Sequence, residues 1–335
     1  MACLHGRFHL EVFKGTVRSP VRMSLRGRDL ISIRDLSKDE VLSLLGSAQK
    51  MIPYAEGKRV MHPLANRIVA MGFFEPSTRT RLSFESAVQR LGGTCITIAD
   101  AAASSMRKGE SLSDTIRMLS GYADAIVLRH PNEGSAQLAA RASDKPIINA
   151  GDGAGQHPSQ TLLDLATMYE AFGTLTGLRV VLLGDLRYGR TVHSLAYALG
   201  VLFGVELVLT SPPELRLPAE LREELEKSGA KVTDEPDIRK AVREADVLYV
   251  TRIQKERFGD EGEYRKVVGS YRIDAHILED AKPRLAVMHP LPRLGEVAPE
   301  VDRTPHAAYF RQAFLGVPVR MALLDAILGS APTGE

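Results

Sequence analysis

Short apolar runs alternate with amphipathic stretches along most of this chain. RIVAMGFF, from Arg67 to Phe74, has strand length, and RTRLSFESAVQRLGG then places its apolar positions at helical spacing and stops at Gly92 and Gly93. TCITIAD, SLSDTIRMLSGY, AIVLRH, a polar helical stretch and KPIINAGDG continue the pattern. After a helical segment from Ser159 to Phe172 the rhythm restarts with LRVVLLGD, RTVHSLAYALG, VELVLTSP, LREELEKSGA, ADVLYVTR and PRLAVMHPLP. The alternation predicts an α/β protein of two domains, each a parallel β-sheet flanked by helices, with ligand groups at strand ends facing the crevice between them. Upstream, SKDEVLSLLGSAQKM opens with Ser37 and Glu40 in capping-box spacing and predicts a helix. Downstream, RQAFLGVPVRMALLDAIL predicts a long closing helix that Pro318 kinks or divides.

Composition narrows the picture. A length of 335 residues exceeds the size at which a single core keeps growing, in keeping with two domains. A net charge of +2 and the lack of a basic stripe with interleaved aromatics argue against nucleic acid and against an anionic membrane surface. No run approaches the ~18 apolar residues of a membrane span. Cys3 and Cys95 supply no zinc or disulfide framework, which predicts a cytoplasmic protein with no metal and no cofactor. Residues 1–28 carry Arg7, Lys14, Arg18, Arg22, Arg26 and Arg28 against Glu11 alone. Targeting peptides are basic too, but serine is scarce here and Met23 offers a second start, so this reads as a disordered or peripheral extension. The expected division is then 1–28 extension, 29–158 first domain, 159–304 second domain, and 305–335 a helix packing back on the first.

The chemistry concentrates at predicted strand ends. FFEPSTRTRLSFE brings four hydroxyls and two guanidiniums to a strand-to-helix turn. Ser77, Thr78, Arg79 and Thr80 can converge on one anion, aided by free backbone N–H groups and the helix dipole, as a phosphate cradle without a glycine loop. Helix capping alone needs only one such residue. Arg129, His130, the segment Asp152 to His157, Arg252 and His289 occupy the other strand ends. GDLRYGR follows a strand, but Gly184 and Gly189 lack the three-glycine dinucleotide spacing. Arg190 at that helix entrance is either a bidentate clamp for carboxylate or phosphate, or one side of an interfacial salt bridge. Ala101 to Thr115 reads as a polar loop of functional length.

Taken together, FFEPSTRTR, LRHP, DGAGQHPSQTLLDL, GDLRYGRTVHSL, TRIQKER and MHPLPR resemble, in this order, the motifs of the aspartate/ornithine transcarbamylase family, from about Leu30 to Leu328. The strand end His289-Pro290-Leu291-Pro292 is similar to its aspartate-using branch, since the ornithine enzymes typically carry His-Cys-Leu-Pro there. The resemblance implies that the first domain binds carbamoyl phosphate through Ser77, Thr78, Arg79, Thr80, Arg129, His157, Gln160 and Leu291, with Arg79, Thr80, Arg129 and His157 catalytic. It implies aspartate binding by Lys108, Arg190, Arg252 and Gln254, and a homotrimer in which Ser104 and Lys108 come from the neighbouring subunit. The implied reaction is carbamoyl transfer to the amino group of L-aspartate in pyrimidine biosynthesis. Ornithine or another amine as acceptor, and an inactive scaffold subunit, are the alternatives. Regulatory chains or a dihydroorotase partner stay open.

Overall fold

The computed structural model describes residues 25–99, 105–253, 260, 262, 267 and 271–329. Two parallel sheets organise it. The first holds β1 (Ile68–Phe73), β2 (Thr94–Ile98), β3 (Ala125–His130) and β4 (Ile147–Asp152) in the order β2-β1-β3-β4. The second holds β5 (Arg179–Leu183), β6 (Glu206–Thr210), β7 (Val232–Asp234), β8 (Val247–Val250) and β9 (Ala286–Met288) in the order β7-β6-β5-β8-β9. Every named strand pair is parallel. Among the described residues no helix is long and apolar enough to cross a membrane.

The apolar runs form strands because both sheet faces are covered. In β5, Val180 and Leu182 join the large central core while Val181 and Leu183 join a second one. In β1, Val69, Met71 and Phe73 face the central core and Ala70 the opposite side. A strand buried on both faces has no polar side to show, hence continuous rather than alternating hydrophobicity.

Helices α1 (Lys38–Ala55), α2 (Thr78–Arg90), α3 (Leu112–Tyr122), α4 (Ser135–Ala142), α5 (Pro158–Phe172), α6 (Arg190–Tyr197), α7 (Ala219–Lys227), α8 (Ile238–Arg243) and α9 (Tyr309–Leu328) supply that cover. The predicted capping box opens α1: Glu40 N donates to Ser37 Oγ at 3.3 Å and Ser37 N to Glu40 Oε2 at 2.8 Å. Helix α5 leaves the first sheet and leads into the second, and α9 returns to pack on α1, α2 and α5. Arg34, from the first half, pairs with Glu224 of α7 and stacks on Tyr197 of α6 at 4.0 Å.

Two expectations change. Helix α9 continues on both sides of Pro318, so the proline does not divide it. An interior proline costs about 3 kcal/mol, but Val319, Met321, Leu323, Leu324 and Ile327 are all buried on the same helix. At roughly 1.5–3 kcal/mol per large apolar side chain, their burial outweighs the loss. The folded part also starts before residue 29. Leu25 is buried in the central core, Gly27 N donates to Ile327 O at 3.1 Å, and Arg28 pairs with Glu40.

Candidate active site

In an open parallel sheet, ligand groups collect where strand order reverses, beyond the carboxyl ends. The first sheet reverses between β1 and β3, the second between β5 and β8. The carboxyl ends of these four strands and the segments just beyond them carry Ser77 to Thr80, Arg129, Arg190 and Arg252, and all of them line one cavity of about 480 Å³ between the two sheets.

On the first side, β1 ends at Phe73 and α2 begins at Thr78 with Ser77 as N-cap. The Ser77 side chain makes no capping hydrogen bond and the first turn of α2 carries no acid, so the positive helix end and the hydroxyls face the cavity. Thr80 is buried beneath them. Burial, and then the positive charge of Arg252 opposite, lower the pKa of the Arg79 guanidinium. Cations of the two halves therefore face each other across the cleft.

Arg129 at the end of β3 donates from Nη1 to Ala150 O at 3.1 Å and pairs through Nη2 with Glu75 at 2.8 Å. Arg190, the first residue of α6, donates to Gly153 O at 2.5 Å and reaches the same Glu75 oxygen at 3.2 Å. Arg190 thus makes an interfacial salt bridge and also lines the cavity, so the clamp reading stays open beside it. Gly151 packs against both guanidiniums: its φ of +116° is one that a side chain strains, and an ideal Cβ would lie 2.8 Å from Arg129 Nη1 and 3.2 Å from Arg190 Cζ.

His157 is the N-cap of α5 and is buried, its Nδ1 3.5 Å from Ser159 Oγ. Burial first, then the charges of Arg129, Arg190 and Arg320, hold its pKa well below the usual histidine value. The imidazole is neutral at pH 7, with an N–H available as a donor. One turn on, Gln160 lines the cavity and donates from Nε2 to Asp164 Oδ1 at 2.9 Å.

Leu291 also lines the cavity, in a left-handed conformation (φ +57°) that is uncommon for leucine, with its N–H donating to His289 Nδ1 at 2.8 Å. His289 spans this turn by meeting Glu296 with Nε2 at 2.7 Å, a scaffold role. His130 and Asp152, two other strand-end candidates, hold loops together. His130 Nδ1 accepts from Asn132 N and contacts Ser135 Oγ, and Asp152 accepts from Asn149, Gln156 N and Gly134 N. Neither lines the cavity. Lys108 sits exposed on a 3-10 turn, Ser105–Lys108, away from the cavity lining. Ser104 and Gln254 lie outside the described residues.

Sequence reasoning missed Glu75, although it stands inside FFEPST, and missed everything α9 contributes. Gln312 and Arg320 of α9 line the cavity. Arg320 is buried, donates to Ser83 Oγ at 2.9 Å and stacks on Phe84 at 4.8 Å, and burial lowers its pKa to about 9. The available signal was one arginine in an otherwise apolar helical run. Among the described residues the lining thus holds Arg79, Arg129, Arg190, Arg252 and Arg320 against the single carboxylate of Glu75. No described group of three His, Cys, Asp or Glu is placed to hold a metal ion.

Two parallel sheets whose reversal points face one arginine-lined cleft define a two-domain α/β architecture for anionic substrates. The chain belongs to the aspartate/ornithine carbamoyltransferase family: its residues 28–170 match the carbamoyl-P binding domain and residues 176–327 the Asp/Orn binding domain. It is 56% identical over 307 residues to the aspartate carbamoyltransferase catalytic subunit of Thermococcus onnurineus, covering 92% of this chain and 99% of that one. The corresponding subunit of Methanothrix thermoacetophila is 55% identical over 304 residues, covering 91% and 99%. Among solved structures, the catalytic subunit of M. jannaschii aspartate transcarbamoylase superposes with a TM-score of 0.82 at 52% identity, over 89% of this chain and 96% of that chain. The Trypanosoma cruzi aspartate transcarbamoylase in complex with carbamoyl phosphate and aspartate superposes with a TM-score of 0.87 at 38% identity, over 91% and 98%.

Proposed function

We propose that this chain is an enzyme that transfers the carbamoyl group of carbamoyl phosphate to the amino group of L-aspartate, giving N-carbamoyl-L-aspartate and phosphate for pyrimidine synthesis. The observation that carries the reading is the charge of the cleft, five arginines against one carboxylate among the described residues. Two polyanions balance that excess. Ornithine would add an ammonium beside Arg190 and Arg252, where like charges repel, and is disfavoured.

In this reading the phosphate rests on the α2 N-terminus among Ser77, Thr78, Arg79 and Thr80. The carbonyl oxygen meets Thr80, Arg129 and His157, and the carbamoyl amine meets Gln160 and the Leu291 carbonyl. Aspartate is held by Arg190 and Arg252, with Gln254 and Lys108 completing its site. The aspartate amine attacks the carbonyl carbon, a C–N bond forms, and negative charge builds on the oxygen. Three donors aimed at that oxygen stabilise the tetrahedral intermediate, and neutral His157 donates without adding charge to the crowded arginines. Collapse breaks the C–O bond to phosphate. Glu75, the one carboxylate of the lining among the described residues, is already engaged by Arg129 and Arg190. An oxygen of the leaving phosphate takes the amine proton instead. Holding both reactants in line supplies the rest of the acceleration.

The assembly that goes with this reading is a homotrimer in the cytoplasm whose neighbouring subunit lends Ser104 and Lys108 to each site. The exposed position of Lys108 suits a residue that works across an interface. Carbamoyl transfer assayed with aspartate and with ornithine tests the function: turnover with aspartate is expected, and turnover with ornithine alone would overturn the reading. Arg252→Ala should raise the KM for aspartate far more than that for carbamoyl phosphate. Solution mass tests the trimer.

A further inference from the structure

Asp164 is a buried carboxylate outside the reaction as described, yet three elements converge on it. Its Oδ1 accepts from Gln160 Nε2 of α5 at 2.9 Å and from Gln312 Nε2 of α9 at 2.7 Å, and its Oδ2 accepts from Tyr249 OH of β8 at 2.8 Å. All three partners are buried or nearly so. An ionised carboxylate only accepts, whereas a glutamine amide has an accepting end and a donating end. Asp164 therefore dictates which way both glutamines face. The consequence is visible at Gln312, whose oxygen is turned outward and accepts from His289 N at 2.8 Å, fixing the start of the turn that carries Leu291. Gln160 is held the same way, on the wall of the cavity.

We propose that Asp164 is the positioning residue that selects a carbamoyl over an acyl phosphate, by locking the Gln160 amide with its nitrogen inward and its oxygen toward the substrate. The inference rests on the carbamoyl phosphate reading of the cavity. An outward oxygen accepts from the carbamoyl NH₂ and has nothing to accept from the methyl of acetyl phosphate, which is otherwise alike in phosphate and carbonyl. Loss of the lock lets Gln160 present its own NH₂, which faces the carbamoyl NH₂ donor to donor. Selectivity set by a buried polar partner in this way is large, because the mismatched state leaves a donor unpaired.

The test is calorimetric binding of carbamoyl phosphate and of acetyl phosphate to the full chain. Wild type should prefer carbamoyl phosphate, and Asp164→Leu, which removes the Oδ1 acceptor of both amides at similar volume, should lower that preference by roughly tenfold, mostly through carbamoyl phosphate. Gln160→Ala should lower it similarly, and the double variant no further, since the two act as one unit. Tyr249→Phe removes the donor on Oδ2 and leaves both amides held; it should shift the two affinities by the same factor, a result that a purely structural role for Asp164 would reproduce in Asp164→Leu as well. Wild type gives a measurement that needs no substitution. Burial raises the Asp164 pKa to about 7, opposed by the hydrogen bonds from Gln312, Tyr249 and Gln160 and by the charge of Arg320. As pH falls through that value the proton settles on Oδ2, against the Tyr249 hydroxyl, which can accept it; both amides stay on Oδ1, and the preference should hold on either side of that pH. A wild type that binds neither ligand overturns the cavity reading together with this inference. A preference that survives in Asp164→Leu overturns the inference alone.

Discussion

His157 is buried within the fields of three arginines, and its lowered pKa follows first from that burial and then from those charges. Replacement by alanine removes a donor aimed at the developing oxyanion, so kcat should fall about 10²–10³-fold with a much smaller change in the KM for aspartate. Steady-state kinetics on both substrates would show it, and an unchanged kcat would remove His157 from the chemistry. The same residue shapes stability. Its folded pKa is depressed, so below the unfolded value of 6.5 the unfolded chain binds a proton that the native chain refuses. Stability is then lost as pH falls under 6.5, by up to about 1.4 kcal/mol per unit for one proton. His157→Gln should flatten this acid limb, measured as urea midpoints at pH 5.5 and 7.5. Asp164 works with the opposite sign. Its raised pKa makes the native chain bind a proton the unfolded chain lacks from pH 3.8 to about 7, so its contribution is lost as pH rises through about 7. A flatter acid limb in His157→Gln would thus separate the two groups.

Among the described residues, α1, α2 and α3 have serine at the N-cap position, and Ser77 of α2 is the one that makes no capping hydrogen bond. Ser37 satisfies the Glu40 N–H, whereas Ser77 makes no capping bond at the entrance to α2. Ser37→Ala should therefore cost about 1 kcal/mol of stability and leave turnover unchanged. Ser77→Ala should leave stability within about 0.5 kcal/mol and raise the KM for carbamoyl phosphate by roughly tenfold, the worth of one hydrogen bond to a charged ligand. Thermal denaturation and kinetics on both variants decide it. This contrast also explains what could be read from the chain. The strand-turn-helix at Phe73 to Glu85 was legible because excess hydroxyl and guanidinium groups at one helix start are a local signal, and β1, β3, β5 and β8 were legible because strands buried on both faces are continuously apolar. Helix α8 and strand β7 were not, since six and three residues are too few to show a period. Gln312, Arg320 and Asp164 were hidden for a different reason. Gln312 lies 148 positions from the Asp164 it bonds, and nothing local in α9 distinguishes a helix that only closes the fold from one that lines its cleft.

At the scale of the whole molecule, Glu75 ties the two halves. Its carboxylate meets Arg129 of the first sheet and Arg190 of the second half, with little water access to any of the three. Without it, two guanidiniums would confront each other with no anion between them, and breaking a largely buried pair in this way costs on the order of 3 kcal/mol. Glu75→Ala should lower the melting temperature accordingly. Substrates offer the missing charge, because carbamoyl phosphate and aspartate both carry anions to this cleft. Binding to the native state stabilises by mass action, and a variant whose arginines lack their own counter-charge has more to gain from the ligand. Saturating carbamoyl phosphate should therefore raise the melting temperature of Glu75→Ala more than that of wild type. The KM for aspartate should rise as well, since a cleft that opens more easily holds Arg190 and Arg252 less often at the distance one aspartate spans. An equal ligand-induced shift in the two proteins would mean that Glu75 holds the halves by packing and hydrogen bonding alone, and that charge balance across the cleft is not what joins them.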